Sequence, residues 1–168
     1  MKRIAVLAEQ QFEDMELMYP YYRLLEEGYQ VDVVGTEKDK VYKGKNGYPV
    51  KSTHASREVS SKDYDGVIIP GGYSPDYMRR CKETVEFVKE MDREGKLIGA
   101  ICHGPWMLAS CCKLKGKKVT SFISIKDDLT NAGAIFVDKE VVVDGNLITS
   151  RTPKDLVPFM KSVINMLK

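Results

Sequence analysis

Residues 99–105 read Gly99-Ala100-Ile101-Cys102-His103-Gly104-Pro105, and the fold turns on how that stretch is understood. Leu97 to Ile101 is a continuous apolar run, the pattern of a strand buried on both faces. Gly104-Pro105 then opens a helix to about Ser110, since proline is tolerated in a first helical turn. A strand that ends at Cys102 and gives way at once to a helix has the small-x-nucleophile-x-Gly form of a nucleophile elbow, with Ala100 and Gly104 as the small residues. Such a turn is tight and its backbone strained, which holds the middle side chain above the sheet.

Outward from the elbow the same alternation repeats. Ile4 to Ala8 and Val31 to Val34 are apolar runs of strand length. Between them, Met15 to Glu27 carries Leu17, Tyr21, Leu24 and Leu25 at helical spacing, with Gly28 just past its end. Pro20 is expected to shorten or kink that helix. Val41 to Lys51 contains Asn46-Gly47, a hairpin signal. Val67 to Ile69 is a short buried strand that runs into Pro70-Gly71-Gly72. Glu83 to Glu94 and Ile125 to Asn131 read as helices, stopped by Gly95 and Gly133, and Val141 to Thr149 as a second hairpin around Asp144-Gly145-Asn146. In the last helix Thr152 is the expected cap, Pro153 the first position and Asp155 the acidic first-turn residue. Its apolar face is Leu156, Phe159, Met160, Val163, Ile164 and Leu167.

Strands alternating with helices predict an α/β fold in one domain over residues 1–168. Its mostly parallel sheet would carry helices on both faces, with small β-hairpins and right-handed crossovers. Ligands of such sheets bind beyond the carboxyl ends of the strands. That rule gathers three loops into one crevice: 9–16, 70–76 and 102–106.

The counts exclude several classes. With 26 Lys and Arg against 24 Asp and Glu, the net charge of +2 is too balanced for a dedicated nucleic-acid binder. No apolar run approaches the ~18 residues of a membrane span, and Met1-Lys2-Arg3 precedes a stretch too short for a signal-peptide core. The cytoplasm is the expected compartment. Cys81, Cys102, Cys111 and Cys112 form no C-x-x-C pair and no metal-ligand spacing, so they read as free thiols in a reducing compartment, with no metal and no cofactor expected. The only histidines are His54, in a polar loop-like segment, and His103.

In the elbow, Cys102 is the candidate nucleophile. The helix behind it is expected to lower the thiol pKa, and the His103 N–H is free to meet a developing oxyanion. Gly72, directly after a strand, is the candidate for the second oxyanion donor. His103 is the candidate base, although adjacent side chains do not ordinarily face each other and a third group must orient the ring. Glu13, Asp14 and Glu16 cluster at the first strand–helix junction, where helix-dipole complementarity is the ordinary reason for acidic residues. The same reason serves for Asp76.

These residues resemble the PfpI-type intracellular proteases, a branch of the superfamily that contains the Parkinsonism-associated deglycase and class I glutamine amidotransferase-like domains. The likeness runs nearly end to end. It takes in 12–17 with Tyr19-Pro20-Tyr21, Pro70-Gly71-Gly72, 100–105, Ile125-Lys126-Asp127-Asp128 with Asn131-Ala132-Gly133, and Asp144-Gly145-Asn146 with 149–153. The resemblance implies a flavodoxin-like three-layer sandwich. It implies that a protonated Glu16 donates to the Cys102 thiolate, which ranks Glu16 above Glu13. It also implies that the carboxylate at position 76 reaches His103 of a neighbouring subunit, in dimers that assemble into hexamers. Members often carry Glu there, and Asp76 is one methylene shorter.

Two functions compete. One is a cysteine enzyme acting on carbonyls, either a glyoxalase or deglycase on methylglyoxal and its adducts or a cysteine peptidase. An aldehyde asks less of the site than an amide. The other is a redox or stress sensor, or a holdase, with Cys102 oxidised to a sulfinic acid. Glutamine amidotransfer needs a histidine well downstream of the elbow, and none follows His103.

Overall fold

The elbow strand lies near the middle of a seven-stranded sheet. The structure, a computed structural model, describes residues 1–168. The chain opens with β1 (Arg3–Leu7), α1 (Asp14–Glu26), β2 (Gln30–Gly35), β3 (Val41–Lys43), β4 (Pro49–Lys51) and β5 (His54–Ala55). It continues with β6 (Gly66–Ile69), α2 (Ser74–Arg79), α3 (Lys82–Arg93), β7 (Leu97–Ile101) and α4 (Leu108–Cys111). It closes with β8 (Lys118–Val119), α5 (Lys126–Asn131), β9 (Ile135–Phe136), β10 (Val141–Asp144), β11 (Leu147–Ser150) and α6 (Leu156–Leu167). The sheet order is β10-β11-β7-β6-β1-β2-β5. Every pair is parallel except the β10–β11 hairpin. The parallel core β2-β1-β6-β7-β11 has the flavodoxin-like strand order.

Side-chain alternation splits the core into two layers. From β1, Ile4 and Val6 join Leu17 and Leu24 of α1 and Phe159, Met160 and Val163 of α6 on one face. Ala5 and Leu7 face the other way, against Phe87, Val88 and Met91 of α3. Because both faces are covered, the central strands are apolar at nearly every position, as read from the sequence. No helix is long and apolar enough to cross a membrane.

The structure departs from the sequence reading in details with local causes. β5, β8 and β9 are two residues each, too short to show a period, and the first three of the six residues of α2 lie in the stretch 70–76 read as loop, with Asp76 in the first turn as expected of an acidic residue at a helix start. α1 runs through Pro20 without shortening. Thr152 makes no side-chain cap: a 3-10 turn, Pro153–Asp155, precedes α6, and the Asp155 carboxylate is bound instead by the Arg151 guanidinium at 2.9 Å. Behind the elbow, Gly104–Met107 is a 3-10 turn, followed by only the four residues of α4.

Phe159 is fully buried, so Phe159→Ala is expected to cost about 3–5 kcal/mol. At about 2–4 °C per kcal/mol for a chain this size, the melting temperature falls by roughly 6–20 °C. The half-exposed Val157 on the same helix serves as control, its Ala variant staying within about 0.5 kcal/mol of the parent.

Candidate active site

β1 and β6 are neighbours, but the chain leaves β1 toward β2 on one side and its later strands stack on the other, so the loops after β1 and β6 part there. The two loops then lock together. Phe12 and Gly72 form an antiparallel bridge, the Tyr73 N–H donates to the Gln11 carbonyl at 2.8 Å, and the Glu13 N–H donates to the Gly71 carbonyl at 3.2 Å. Cys102, one residue past β7, completes the crevice the sequence placed here. Its volume is about 630 Å³, with Glu13, Glu16, Gly72, Cys102 and His103 on its walls.

The elbow is real in its backbone. Cys102 has φ 61°, the left-handed region that non-glycine residues rarely occupy. The small residues around it are required by contact. A Cβ on Gly104 would sit 2.3 Å from the Ile69 carbonyl oxygen. One on Gly71 would sit 2.5 Å from Glu16 Oε2 and 2.9 Å from the His103 nitrogen. The left-handed turn also answers the concern about neighbouring side chains, for His103 Nδ1 lies 3.4 Å from Cys102 Sγ. The imidazole stacks on Phe122 with ring centres 4.9 Å apart and planes at 25°, and its Nε2 lies 3.1 Å from Ser124 Oγ. Burial and the Lys45 charge hold the imidazole pKa below its ordinary 6.5, so the ring is neutral at pH 7.

Glu16 is fully buried. Oε2 accepts the Gly71 N–H at 2.7 Å, while Oε1 is buried with no hydrogen-bond partner. Burial pushes the carboxyl up to about 8, against the pull of the Gly71 N–H, with the Glu13 charge adding to the rise. The Cys102 thiol, 8% exposed, is pushed up to about 12, first by burial and then by the Glu16 charge, while the His103 and Gly72 N–H groups pull it down. This corrects the expectation of a thiol lowered by a helix. A 3-10 turn and one turn of α4 carry little of a macrodipole, and desolvation outweighs it.

The remaining candidates separate. Glu13 caps α1, its Oε2 accepting the Glu16 N–H at 3.0 Å, the ordinary role of an acidic residue at a helix start. Asp76 lies in the first turn of α2, where its carboxylate is bound by Arg80 and touches no atom of its own chain's His103. His54 borders β2 with Nδ1 3.9 Å from Asp32, away from the crevice. Three wall residues had no sequence signal: Lys45, Phe122 and Ser124. Lys45 is held at the crevice by its own N–H, which donates to the Phe12 carbonyl at 2.8 Å, and by Asp14, which accepts the Asn46 and Tyr48 N–H groups at 3.0 Å and pins the hairpin tip. Phe122 and Ser124 lie at the start of a 3-10 turn, Ile123–Ile125, tethered by the Phe122 N–H to the Cys102 carbonyl at 2.8 Å.

Comparison with known proteins gives a consistent set of relatives. A model of the DJ-1/PfpI family matches residues 2–166. The chain is 45% identical over 166 residues to Deglycase PfpI of Pyrococcus furiosus, covering 99% of each. It is 45% identical over 167 residues to the Putative cysteine protease YraA of Bacillus subtilis, again covering 99% of each. Among solved structures, a two-domain protein with DJ-1/ThiJ/PfpI-like and ferritin-like domains from Anabaena variabilis matches with TM-score 0.97 and 43% identity. That match covers 99% of this chain and 48% of the other, so the chain spans about half of that protein's length. Drosophila melanogaster DJ-1beta matches with TM-score 0.90 and 31% identity, covering 96% and 88%.

The raised Glu16 carboxyl has a consequence for stability. Its folded pKa of about 8 exceeds the ordinary 4.5, so the protonated form favours the fold. That contribution is complete below about pH 4.5 and is lost as pH rises through about 8. In thermal melts from pH 5 to 9, the wild type is expected to lose stability relative to the double variant Glu16→Gln/Cys102→Ala, in which neither member of the pair has a proton to give up. A difference that stays constant with pH contradicts the assignment.

Proposed function

The chain belongs to the DJ-1/PfpI family, and we propose that it is a cysteine-dependent enzyme acting on carbonyls, with reactive aldehydes such as methylglyoxal, and their adducts on amines, as substrates. The observation that carries this reading is the surrounding of one sulfur. Cys102 Sγ meets two backbone N–H groups, of Gly72 and His103, an imidazole at 3.4 Å, and a fully buried carboxyl that is raised to about 8. The names of relatives, Deglycase PfpI among them, support the same chemistry.

Glu16 and Cys102 share one proton between them once the pair has ionised, and the donors around them decide which group holds it. The His103 and Gly72 N–H groups favour charge on the sulfur, and the Gly71 N–H favours it on the carboxyl. A proton on Glu16 Oε1 turned toward the sulfur also gives that orphaned atom its partner. We therefore place the proton on Glu16 and the charge on Cys102.

The thiolate then adds to the aldehyde carbon, forming a C–S bond and moving the carbonyl electron pair onto oxygen. The Gly72 and His103 N–H groups receive that oxyanion, and it takes a proton from Glu16 or from the His103 ring. From methylglyoxal, a proton shift between the two carbons gives a lactate thioester, which water cleaves to lactate and the free thiol. An amine adduct, a hemiaminal, first collapses: its hydroxyl loses a proton and forms the C=O bond, the C–N bond breaks with His103 protonating the leaving amine, and the aldehyde so released is taken by the thiolate as above. A thiol raised by burial suits an aldehyde, which is already electrophilic, better than an unactivated amide. Peptide cleavage, suggested by the relative named a cysteine protease, is the second reading.

Assembly into a homo-oligomer, dimer or hexamer, belongs to the same proposal. Met15, Tyr22 and Leu25 on α1 and the nearby Tyr48 are all more than two-fifths exposed. Size-exclusion chromatography with light scattering is expected to return a multiple of 19.0 kDa. The four unpaired thiols fit a reducing, cytoplasmic setting.

Methylglyoxal and a fluorogenic peptide assayed side by side test the function. The wild type is expected to turn over methylglyoxal, and Cys102→Ala to lose that activity by on the order of 10³-fold or more. Peptide cleavage without methylglyoxal turnover favours the peptidase reading. Aggregation protection that survives Cys102→Ala, with neither turnover, favours a holdase.

A further inference from the structure

Lys45 is the one lysine or arginine on the crevice walls, and the chemistry described above makes no use of it. We propose that Lys45 is a specificity residue: its ammonium receives a carboxylate carried by the substrate, so that Cys102 acts preferentially on carboxylate-bearing aldehydes. The proposal rests on Cys102 being the reactive sulfur, and it names the class of carbonyl compound that this sulfur prefers.

Placement comes first. The hairpin tip is fastened to the loop after β1 by the Lys45 N–H to the Phe12 carbonyl and the Gln11 N–H to the Lys43 carbonyl, each at 2.8 Å. Gly44 packs directly on Asp14, where a Cβ would sit 2.4 Å from Oδ1. Phe12 is itself bridged to Gly72, so the root of the lysine side chain is coupled to the loop that supplies an oxyanion donor.

Availability comes second. The carboxylates around the crevice are engaged elsewhere: Glu13 accepts the Glu16 N–H, Asp14 holds the hairpin amides, and Asp128 accepts from Trp106 Nε1 at 3.2 Å. The exposed Lys45 ammonium is left without an ion pair in its own chain. Other cations of this end of the sheet are committed. Arg79 lies over the Trp106 ring at 5.2 Å and donates to Ser110, and Arg80 is bound to Asp76.

Electrostatic reach comes third. After burial, the Lys45 charge is the cause that holds the His103 imidazole down, and at Glu16, where burial dominates, it pulls the carboxyl back toward its ordinary range. A charge felt at both groups beside the sulfur is also felt by a ligand bound to that sulfur. The thiolate and Glu13 repel an anion, and Lys45 offsets that repulsion; a neutral aldehyde gains nothing from it. The ammonium thus discriminates by the sign of the ligand's charge.

Alkylation of Cys102 by iodoacetate and by iodoacetamide, followed at that residue by mass spectrometry at pH 8 and low salt, tests the proposal on the intact protein. In both reagents the thiolate attacks the same methylene carbon and iodide leaves; they differ in carboxylate against carboxamide. The ratio of the two rates cancels any change in thiol ionisation and reads the local charge. The iodoacetate-to-iodoacetamide ratio is expected to be about 2–5-fold higher in wild type than in Lys45→Gln, the size of one exposed charge pair. Added salt should bring the wild-type ratio down toward that of the variant. Lys45→Arg keeps the ratio, and Lys45→Glu lowers it further. Glyoxylate, an aldehyde that carries a carboxylate, is expected to compete with methylglyoxal. Its Ki relative to the methylglyoxal KM should rise about 2–5-fold in Lys45→Gln. An alkylation ratio, or a Ki-to-KM ratio, left unmoved by Lys45→Gln and Lys45→Glu overturns the proposal. If the wild type does not turn over methylglyoxal, the proposed enzyme fails, and the alkylation ratio still decides whether Lys45 selects anions at the sulfur.

Discussion

The left-handed backbone at Cys102 is the constraint on which the site depends. A non-glycine residue at φ 61° costs of order 1–3 kcal/mol and persists only where its surroundings leave no alternative. Here the Cys102 N–H is spent on the Ser150 carbonyl at 3.0 Å, its carbonyl on the Phe122 N–H at 2.8 Å, and Gly104 is packed on the Ile69 carbonyl. Hydrogen bonds on both sides of the residue and a steric floor beneath it fix the turn. In return, the sulfur leaves the plane of β7 and enters the crevice at the switch point of the sheet, and the next side chain folds back to meet it.

Geometry alone does not make the sulfur reactive. Burial opposes charge on the three groups nearest the chemistry: it raises Glu16 and Cys102 and lowers His103. A site in which these three groups resist ionisation is suited to sharing protons rather than to accumulating charge. In the proposed mechanism Glu16 holds the proton that remains on the pair, and backbone N–H groups offset the negative charge on the sulfur. Gly71 and Gly72 serve this arrangement by having no side chains. Gly71 lets its N–H reach Glu16, and Gly72, at φ 70°, lets the loop turn its own N–H to the sulfur.

Much of this was legible in residues 99–105, because an elbow's demands are local: small residues at fixed offsets around one nucleophile. The buried strands were legible for the same reason, since apolar runs of four or five residues need no distant partner to be recognised. Three things were not. The helix assumed behind Cys102 is a 3-10 turn, and Gly104-Pro105 does not distinguish the two, so the sequence credited a helix dipole where burial weighs more. Lys45 enters the site through a hairpin pinned by Asp14, a contact over some thirty residues of chain. Ser124 lies in a segment without periodicity, and its meaning comes only from the ring it touches. What escaped the sequence are contacts between segments, which spacing along one segment does not encode.

The central claim is that Glu16 keeps the proton while Cys102 carries the charge. The pH dependence of Cys102 alkylation by iodoacetamide, followed at that residue by mass spectrometry in wild type and Glu16→Leu, tests it most directly. The wild type should show the lower midpoint of the two, because a protonated Glu16 stabilises the thiolate. In Glu16→Leu the sulfur loses its acidic donor, and the midpoint should move to higher pH. A midpoint that moves down instead would mean that Glu16 is the charged member and that its removal frees the thiol to ionise.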